Sequence, residues 1–464
     1  MKVLNKKIKF FLILIIVLAA FLHLFFLNFH PLALDEFITL KLLDIHDLHK
    51  ILFFLKTNDT QQPLYYILLY KLFSNNLMTD VARTRLPALI FYGIGILVHY
   101  FTVKKFKSAE VAIISTALIS LSFILLFHST EVRMYSLLFL FLICADYNFL
   151  SIWKTSEFKK TNLILFIFFG FAATFTHLFG FIYFFTEVLL LLFSLQKTSS
   201  NSKLKIVLIT SALLIISALI LPDVLKNFNA YHAYRYSPKA LNLLELIAYL
   251  FSGYFFPLAL LLSVGLLFSA KSQLLKFVKS YWPIYTVILF PILLAFLKSK
   301  ITAPAFEARY FVGSLSSFYL LTATYIHESN WKVKYFREGF IILLVLISIY
   351  NIAFKERYFI YPYRVDSKGV AEEIIAAKTK DPSVEIVSCN ICPYFYIKDI
   401  KFTCIFETAY PPMKLSAAFD TSRPVYFIDN IYPKKNCEET KKRFKNLKSL
   451  ANKNIKWVQF YKNY

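Results

Sequence analysis

The sequence predicts an all-α polytopic membrane protein of about 11 transmembrane helices, followed by a small extracytoplasmic α/β domain. Three observations predict it. Of the 464 residues, 58% are hydrophobic and only 17% are charged, a balance no ordinary soluble domain has. Apolar runs of bilayer length recur as far as residue 355 and then stop. Lysines gather in alternate loops between those runs, the positive-inside pattern.

The formal net charge of +24 follows from those loops and from the tail, so it marks topology and predicts no nucleic-acid partner. Glycine is scarce, at 9 residues, and neither a GxGxxG fingerprint nor a P-loop occurs. Gly93-Ile94-Gly95 lies inside an apolar run and reads as helix packing. A cytoplasmic nucleotide-binding domain is therefore not expected.

The chain opens with Lys2, Lys6, Lys7 and Lys9, which place the N-terminus in the cytoplasm. The run Phe10–Phe29 is long and lacks a small-residue cleavage site, so it reads as an anchor rather than a removable signal. Leu34-Asp35-Glu36-Phe37-Ile38-Thr39 then emerges on the outer face. From Phe37 to Lys56 apolar residues recur at helical spacing among Lys41, Asp44, His46, Asp47 and His49, which predicts one amphipathic helix on the membrane surface. His46 and His49 fit a solvated face better than a metal site. Gln61-Gln62-Pro63-Leu64-Tyr65-Tyr66 opens a further helix that runs to Phe73 and is too short to span.

Spans follow at about 84–103, 109–128, 134–152, 161–176, 178–196, 204–222, 253–270, 281–297, 310–326 and 338–354. The lysine groups 104–107, 154–160, 197–205, 271–279 and 332–337 all fall on the side of the N-terminus. An odd number of spans sends the tail, 356–464, to the outside. There a helix at Ser367–Lys380, strands at Val384–Ser388 and Val425–Ile428, a basic helix at Cys437–Leu450 and a strand-like run at Ile455–Tyr461 predict a small α/β domain. Cys389, Cys392, Cys404 and Cys437 permit two disulfides there, in a pairing that spacing does not fix. The division is thus 1–355, with a first outer loop over 28–83, and 356–464.

Unusual polar residues collect in the outer loops: Asp35 and Glu36, Gln62, Arg83 and Arg85, His128 to Arg133, His177, and Glu307 to Tyr310. Carboxylates this close to lipid belong at the interface or in a polar cavity. The plain alternative for the acidic pair is a helix N-terminal cap. Outside the cytoplasm there is no ATP or nucleotide-sugar, so an activated group must arrive on a lipid carrier. Guanidinium groups suit the phosphate of such a carrier, because they stay charged and donate two parallel bonds. Sugar transfer then needs one carboxylate as base on the acceptor hydroxyl, while arginines stabilise the departing phosphate.

These stretches resemble motifs of the GT-C membrane glycosyltransferases, in particular the protein O-mannosyltransferase and aminoarabinose-transferase-like superfamily. Leu34–Thr39 resembles the acidic motif of that family's first outer loop. Gln62-Pro63-Leu64-Tyr65-Tyr66 is similar to its H-P-P-L-Y-Y segment, with Gln61 and Gln62 in place of His-Pro. Arg85-Leu86-Pro87-Ala88 is similar to its R-L-P-S, and Glu131-Val132-Arg133-Met134-Tyr135 to an E-x-R-x-Y pattern. Thr176-His177-Leu178-Phe179-Gly180 resembles T-H-Y-x-G, and Glu307-Ala308-Arg309-Tyr310 a later R-Y. The motifs occur in the family's order across residues 1–355.

The resemblance implies an inverting transferase that takes a sugar from a polyprenyl-phosphate donor to an envelope glycan, lipid or protein acceptor, in a multi-pass inner-membrane protein. It implies Asp35 as base, with Glu36 positioning the acceptor or the loop. It implies Gln62, Tyr65, Arg85, Glu131, Arg133, Tyr135, His177, Arg309 and Tyr310 as substrate contacts, His177 more as a helix-break residue than a catalyst. Family members differ in metal use; no metal or other cofactor is expected. Two other classes compete: a transporter or lipid flippase, which would carry ionisable residues near mid-bilayer, and a non-catalytic envelope scaffold docking through its tail.

Overall fold

The computed structural model describes residues 5–30, 32–58, 61–73, 81–154, 159–195, 210–215, 271–301, 307–329, 335–355, 367–388, 403–404, 425–430, 447–450 and 458–463. They fall into two compact units, Met1–Leu27 with Ile45–Glu356, and Asn28–Asp44 with Arg357–Tyr464.

The first unit is helical. In chain order it contains α1 (Lys6–Phe25), α3 (Leu48–Asn58), α4 (Pro63–Phe73), α5 (Val81–Phe106), α6 (Ala109–Ser120), α7 (Phe123–Ser129), α8 (Tyr135–Lys154), α9 (Lys160–Thr176), α10 (Leu178–Leu195), α11 (Lys271–Ile301), α12 (Val312–Glu328) and α13 (Phe336–Tyr350). Among the described residues five helices are long and apolar enough to cross a membrane, six when α6 and α7 count as one broken span. This is a multi-pass membrane protein. The helices α9 and α10 are apolar but shorter, and the spans expected at 204–222 and 253–270 lie outside the described residues apart from 210–215.

Two expected elements are divided. The span expected at 109–128 bends by 65° between α6 and α7. The N–H groups of Leu121 and Ser122 reach back only three residues, to the carbonyls of Leu118 and Ile119, at 3.2 and 3.0 Å. That tightened turn ends α6, and the Ser120 hydroxyl donating to the Thr116 carbonyl at 2.7 Å reinforces the distortion. The single surface helix expected over 37–56 is α2 (Leu34–Leu43), which belongs to the second unit, and α3, which belongs to the first. His46 between them takes a left-handed backbone with φ 51°. Asp47 then caps α3 by accepting the Lys50 N–H at 3.1 Å.

α1 packs on α6, α5 on α6 and α8, α8 on α9, α10 on α8, α9 and α11, and α12 on α6 and α11. Buried polar pairs fix the register between helices. His99 of α5 lies between the hydroxyls of Ser115 on α6, at 2.7 Å, and Ser316 on α12, at 3.0 Å. The Ser314 hydroxyl donates to the Ile288 carbonyl at 3.1 Å and accepts from the Tyr183 hydroxyl at 2.6 Å, which joins α10, α11 and α12. The lysine-bearing helix ends share one end of the unit. Lys9 pairs with Glu110 at 2.8 Å, Lys107 with Glu328 at 2.8 Å, and Lys105 donates to Tyr147 and Ser151.

In the second unit, α2 accompanies α14 (Ser367–Lys380) and a five-stranded mixed sheet. The strands are β1 (Glu385–Ser388), β2 (Thr403–Cys404), β3 (Val425–Asn430), β4 (Leu447–Leu450) and β5 (Val458–Asn463), in the order β2-β1-β3-β5-β4. β1 runs parallel to β2 and β3, while β5 runs antiparallel to β3 and β4. The end of the basic helix expected at Cys437–Leu450 is instead β4. Pairing with β5 settles those four residues, since strand formation depends on neighbours more than on local preference. The α14 residues Val370, Ala371 and Ile374 are buried, as are Val384, Ile386 and Val387. Cys389, Cys392 and Cys437 lie outside the described residues, as do 437–446.

Candidate active site

In the first unit the residues expected in outer loops sit at helix ends, and the packing of those ends gathers them. Pro63 is the first residue of α4, where a missing N–H costs nothing. It puts Tyr65 and Tyr66 in the first turn, both buried. Glu131 and Arg133 lie in the turn between α7 and α8, and Tyr135 begins α8. His177 separates α9 from α10, and Glu307 to Tyr310 lead into α12.

The contacts run round this end of the unit. Arg133 donates to the Tyr66 hydroxyl at 3.4 Å. Glu131 pairs with His128 at 2.5 Å, and the His128 ring lies 4.7 Å from that of Tyr135. The His177 ring is 5.8 Å from Tyr135 and 5.1 Å from Tyr310. Tyr310 stacks on Phe179 at 4.9 Å. The Arg309 guanidinium lies 5.8 Å from the Tyr135 ring centre and 5.6 Å from that of Tyr310, and its Nε meets Glu307 at 2.5 Å. The Arg309 cation thus rests on aromatic faces, whose quadrupoles attract it.

His177 is fixed as a neutral ring. Its Nδ1 accepts the Phe179 N–H at 3.1 Å. Burial, and after it the positive charges of Arg309 and Arg133, push its pKa down to about 3. It therefore adds no third positive charge to the cluster.

The helix break that carries His177 depends on close approach. A Cβ on Gly180 would stand 2.1 Å from the Ala173 carbonyl oxygen, so the first turn of α10 lies directly against the last turn of α9. The His177 N–H bonds the Ala173 carbonyl at 3.0 Å, and the Gly180 N–H bonds the His177 carbonyl at 2.8 Å.

Two further predicted residues are buried. Arg85 is buried and donates to the Leu27 carbonyl at 2.9 Å, tying α5 to the chain just after α1. Gln62 is buried immediately before α4.

The acidic pair is in the second unit, in the first turn of α2. Glu36 is buried and its Oε2 accepts the Ala33 N–H at 2.9 Å, the carboxylate half of a capping box. Asp35, next to it, is half-buried, and its carbonyl accepts the Thr39 hydroxyl at 3.0 Å. Both carboxylates gain from the helix dipole. The capping alternative therefore describes Glu36 directly. Among the described residues no three of His, Cys, Asp or Glu converge as a metal would need.

Some residues escaped the sequence reading. For Tyr66 and His128 it was the role that escaped: both stand in the stretches quoted above, and they hold Arg133 and Glu131. Asp146 of α8 and Glu187 of α10 are buried inside the helix bundle. Their carboxyl groups face each other. Each is a single acid within an apolar run, which gave no signal that they meet.

The fold has counterparts among solved structures. It is similar to the crystal structure of ArnT from Cupriavidus metallidurans in the apo state, with a TM-score of 0.62, 11% identity and 98% of each chain covered. The same protein bound to undecaprenyl phosphate aligns over 98% of each chain, with a TM-score of 0.58 and 11% identity. No protein-family model matches the chain, and no curated protein matches it in sequence.

Proposed function

We propose that this protein is an integral-membrane glycosyltransferase. It moves a sugar from a polyprenyl-phosphate carrier to an envelope glycan, lipid or protein acceptor on the extracytoplasmic face, with inversion at the anomeric carbon. The observation that carries this reading is the gathering of Tyr66, Glu131, Arg133, Tyr135, His177, Arg309 and Tyr310 at one end of a GT-C-like helical unit. Two guanidinium groups among tyrosines suit a lipid-borne phosphate. ArnT, whose fold this chain shares, has been crystallised with undecaprenyl phosphate.

In the mechanism, Asp35 takes the proton of the acceptor hydroxyl as that oxygen bonds the anomeric carbon. The bond to the carrier phosphate breaks, and Arg133 and Arg309 stabilise the charge it leaves. Glu36 positions Asp35 by capping α2, and neutral His177 holds the first turn of α10 by accepting the Phe179 N–H. The tail domain lies outside the cytoplasm in this scheme and binds or shields the acceptor.

Incubating the purified protein with polyprenyl-phosphate sugars tests the reading. Mass spectrometry of envelope glycans from a strain lacking the protein identifies the missing residue, and an unchanged glycan profile together with no transfer in vitro refutes the proposal. Arg133→Ala should lower kcat by about 100-fold, the typical cost of losing one oxyanion-stabilising donor. Arg133→Lys should recover only part of it, since the point charge stays and the planar fork goes. Equal activity of wild type and both variants in the transfer assay would remove Arg133 from the scheme.

One observation favours a transporter as the second reading, namely the buried Asp146–Glu187 pair, because ionisable groups within spans commonly mark transport pathways. The two readings separate on Glu187→Gln. A transferase should keep its sugar transfer within about threefold, the effect of a modest packing change of under 1 kcal/mol. Loss of solute flux in proteoliposomes, with no transfer activity in the wild type, would instead select the transporter.

A further inference from the structure

At the lysine-rich end of the first unit, a cavity of about 290 Å³ opens between α11 and α12, lined by Lys276, Phe277, Ser280, Tyr281, Tyr325 and Glu328. Its carboxylate is already satisfied. Glu328 accepts from Lys107 at 2.8 Å and from the Tyr281 hydroxyl at 3.0 and 3.2 Å, and the Lys107 ammonium lies 4.1 Å from the centre of the Tyr281 ring. The charge left for a ligand is therefore the ammonium of Lys276, an exposed residue with no ion pair among the described residues. Lys279, one turn further on, is also exposed but does not line the cavity.

The surface beside the mouth is apolar. Leu275, Val278, Trp282, Leu289 and Leu293 recur at helical spacing on α11 and are all exposed, Leu275 at 53% and Trp282 at 44%. Such a stripe on a spanning helix faces acyl chains, and Trp282 has the character of an interface anchor. A polar recess carrying the Lys276 ammonium thus adjoins a track for hydrocarbon. A free anion would use only the first of these; a phospholipid uses both. Basic recesses between helices at the positively charged end of a membrane protein suit anionic headgroups.

We propose that this cavity is a binding site for an anionic phospholipid, with the phosphodiester on Lys276, the headgroup hydroxyls toward Ser280 and Tyr325, and the acyl chains along the Leu275–Trp282 stripe. It is separate from the residues assigned to sugar transfer, so its test does not depend on that reading.

The test titrates dioleoyl-phosphatidylglycerol onto the detergent-purified, delipidated full chain and follows the first bound lipid by native mass spectrometry. Lys276→Gln should weaken that event about fivefold, the worth of one lysine at an anionic surface, while Lys279→Gln should change it by less than about twofold. Dioleoyl-phosphatidylcholine should bind no better to the wild type than to Lys276→Gln, and millimolar inorganic phosphate should leave the bound phosphatidylglycerol in place. Equal losses from the two lysine variants, equal binding of the two lipids, or displacement by free phosphate would each overturn the proposal. The first would mean diffuse surface attraction, the second a site blind to charge, and the third a site for the free anion.

Discussion

Asp35→Asn is expected to reduce sugar transfer by 100-fold or more while the protein still inserts and folds, because general-base catalysis typically contributes about 10²–10⁴. The amide has the shape of the carboxylate but cannot accept the acceptor's proton. The Thr39 hydroxyl bonds the Asp35 backbone carbonyl, and the cap on Ala33 comes from Glu36. Glu36→Ala should behave differently. It removes the cap from α2 at a cost of about 1 kcal/mol, so it should lower stability as well as rate. Transfer rates measured alongside thermal unfolding in detergent separate the two effects. Undiminished transfer by Asp35→Asn would require another base.

Gly180→Ala is expected to be the most damaging single methyl in the first unit. The new Cβ would meet the Ala173 carbonyl oxygen at 2.1 Å, the Ala173 carbonyl carbon at 2.3 Å and the Thr174 nitrogen at 2.9 Å. All three are backbone atoms of α9, so no side chain can swing away, and α9 and α10 must move apart. Overpacking of this kind costs about 3 kcal/mol or more, and the melting temperature should fall by several degrees, roughly 4 °C or more. The separation also moves His177, whose N–H and carbonyl are both bonded across this junction. Transfer should therefore drop along with stability. A variant melting with the wild type would mean that the two helices are less tightly apposed than the geometry requires.

Much of this architecture was readable in the chain because the controlling signals are local. Pro63 marks the first residue of α4, and the lysine groups mark helix ends that do share one end of the unit. The motif residues Glu131, Arg133, Tyr135, His177, Arg309 and Tyr310 were all legible one by one, and the structure brings them together. What stayed hidden depends on partners distant in sequence. A largely apolar run over 109–128 does not announce a 65° bend. Leu447–Leu450 is a strand only because β5 is there to pair with it. Asp146 and Glu187 each read as a stray acid in a span until α8 and α10 are packed. Glu36 read as a residue positioning the acceptor or the loop, with a helix cap as the plain alternative, and the bond to Ala33 shows the cap.

The junction around His46 has a practical consequence for anyone trimming this protein. Residues Asn28–Asp44 keep company with the chain beyond Arg357, not with the helices on either side of them in sequence. A truncation ending near residue 356 would strip the acidic helix of the neighbours it packs with. Conversely, the tail expressed alone would lack one of its own pieces, so a soluble version should have residues 28–44 grafted back by a linker.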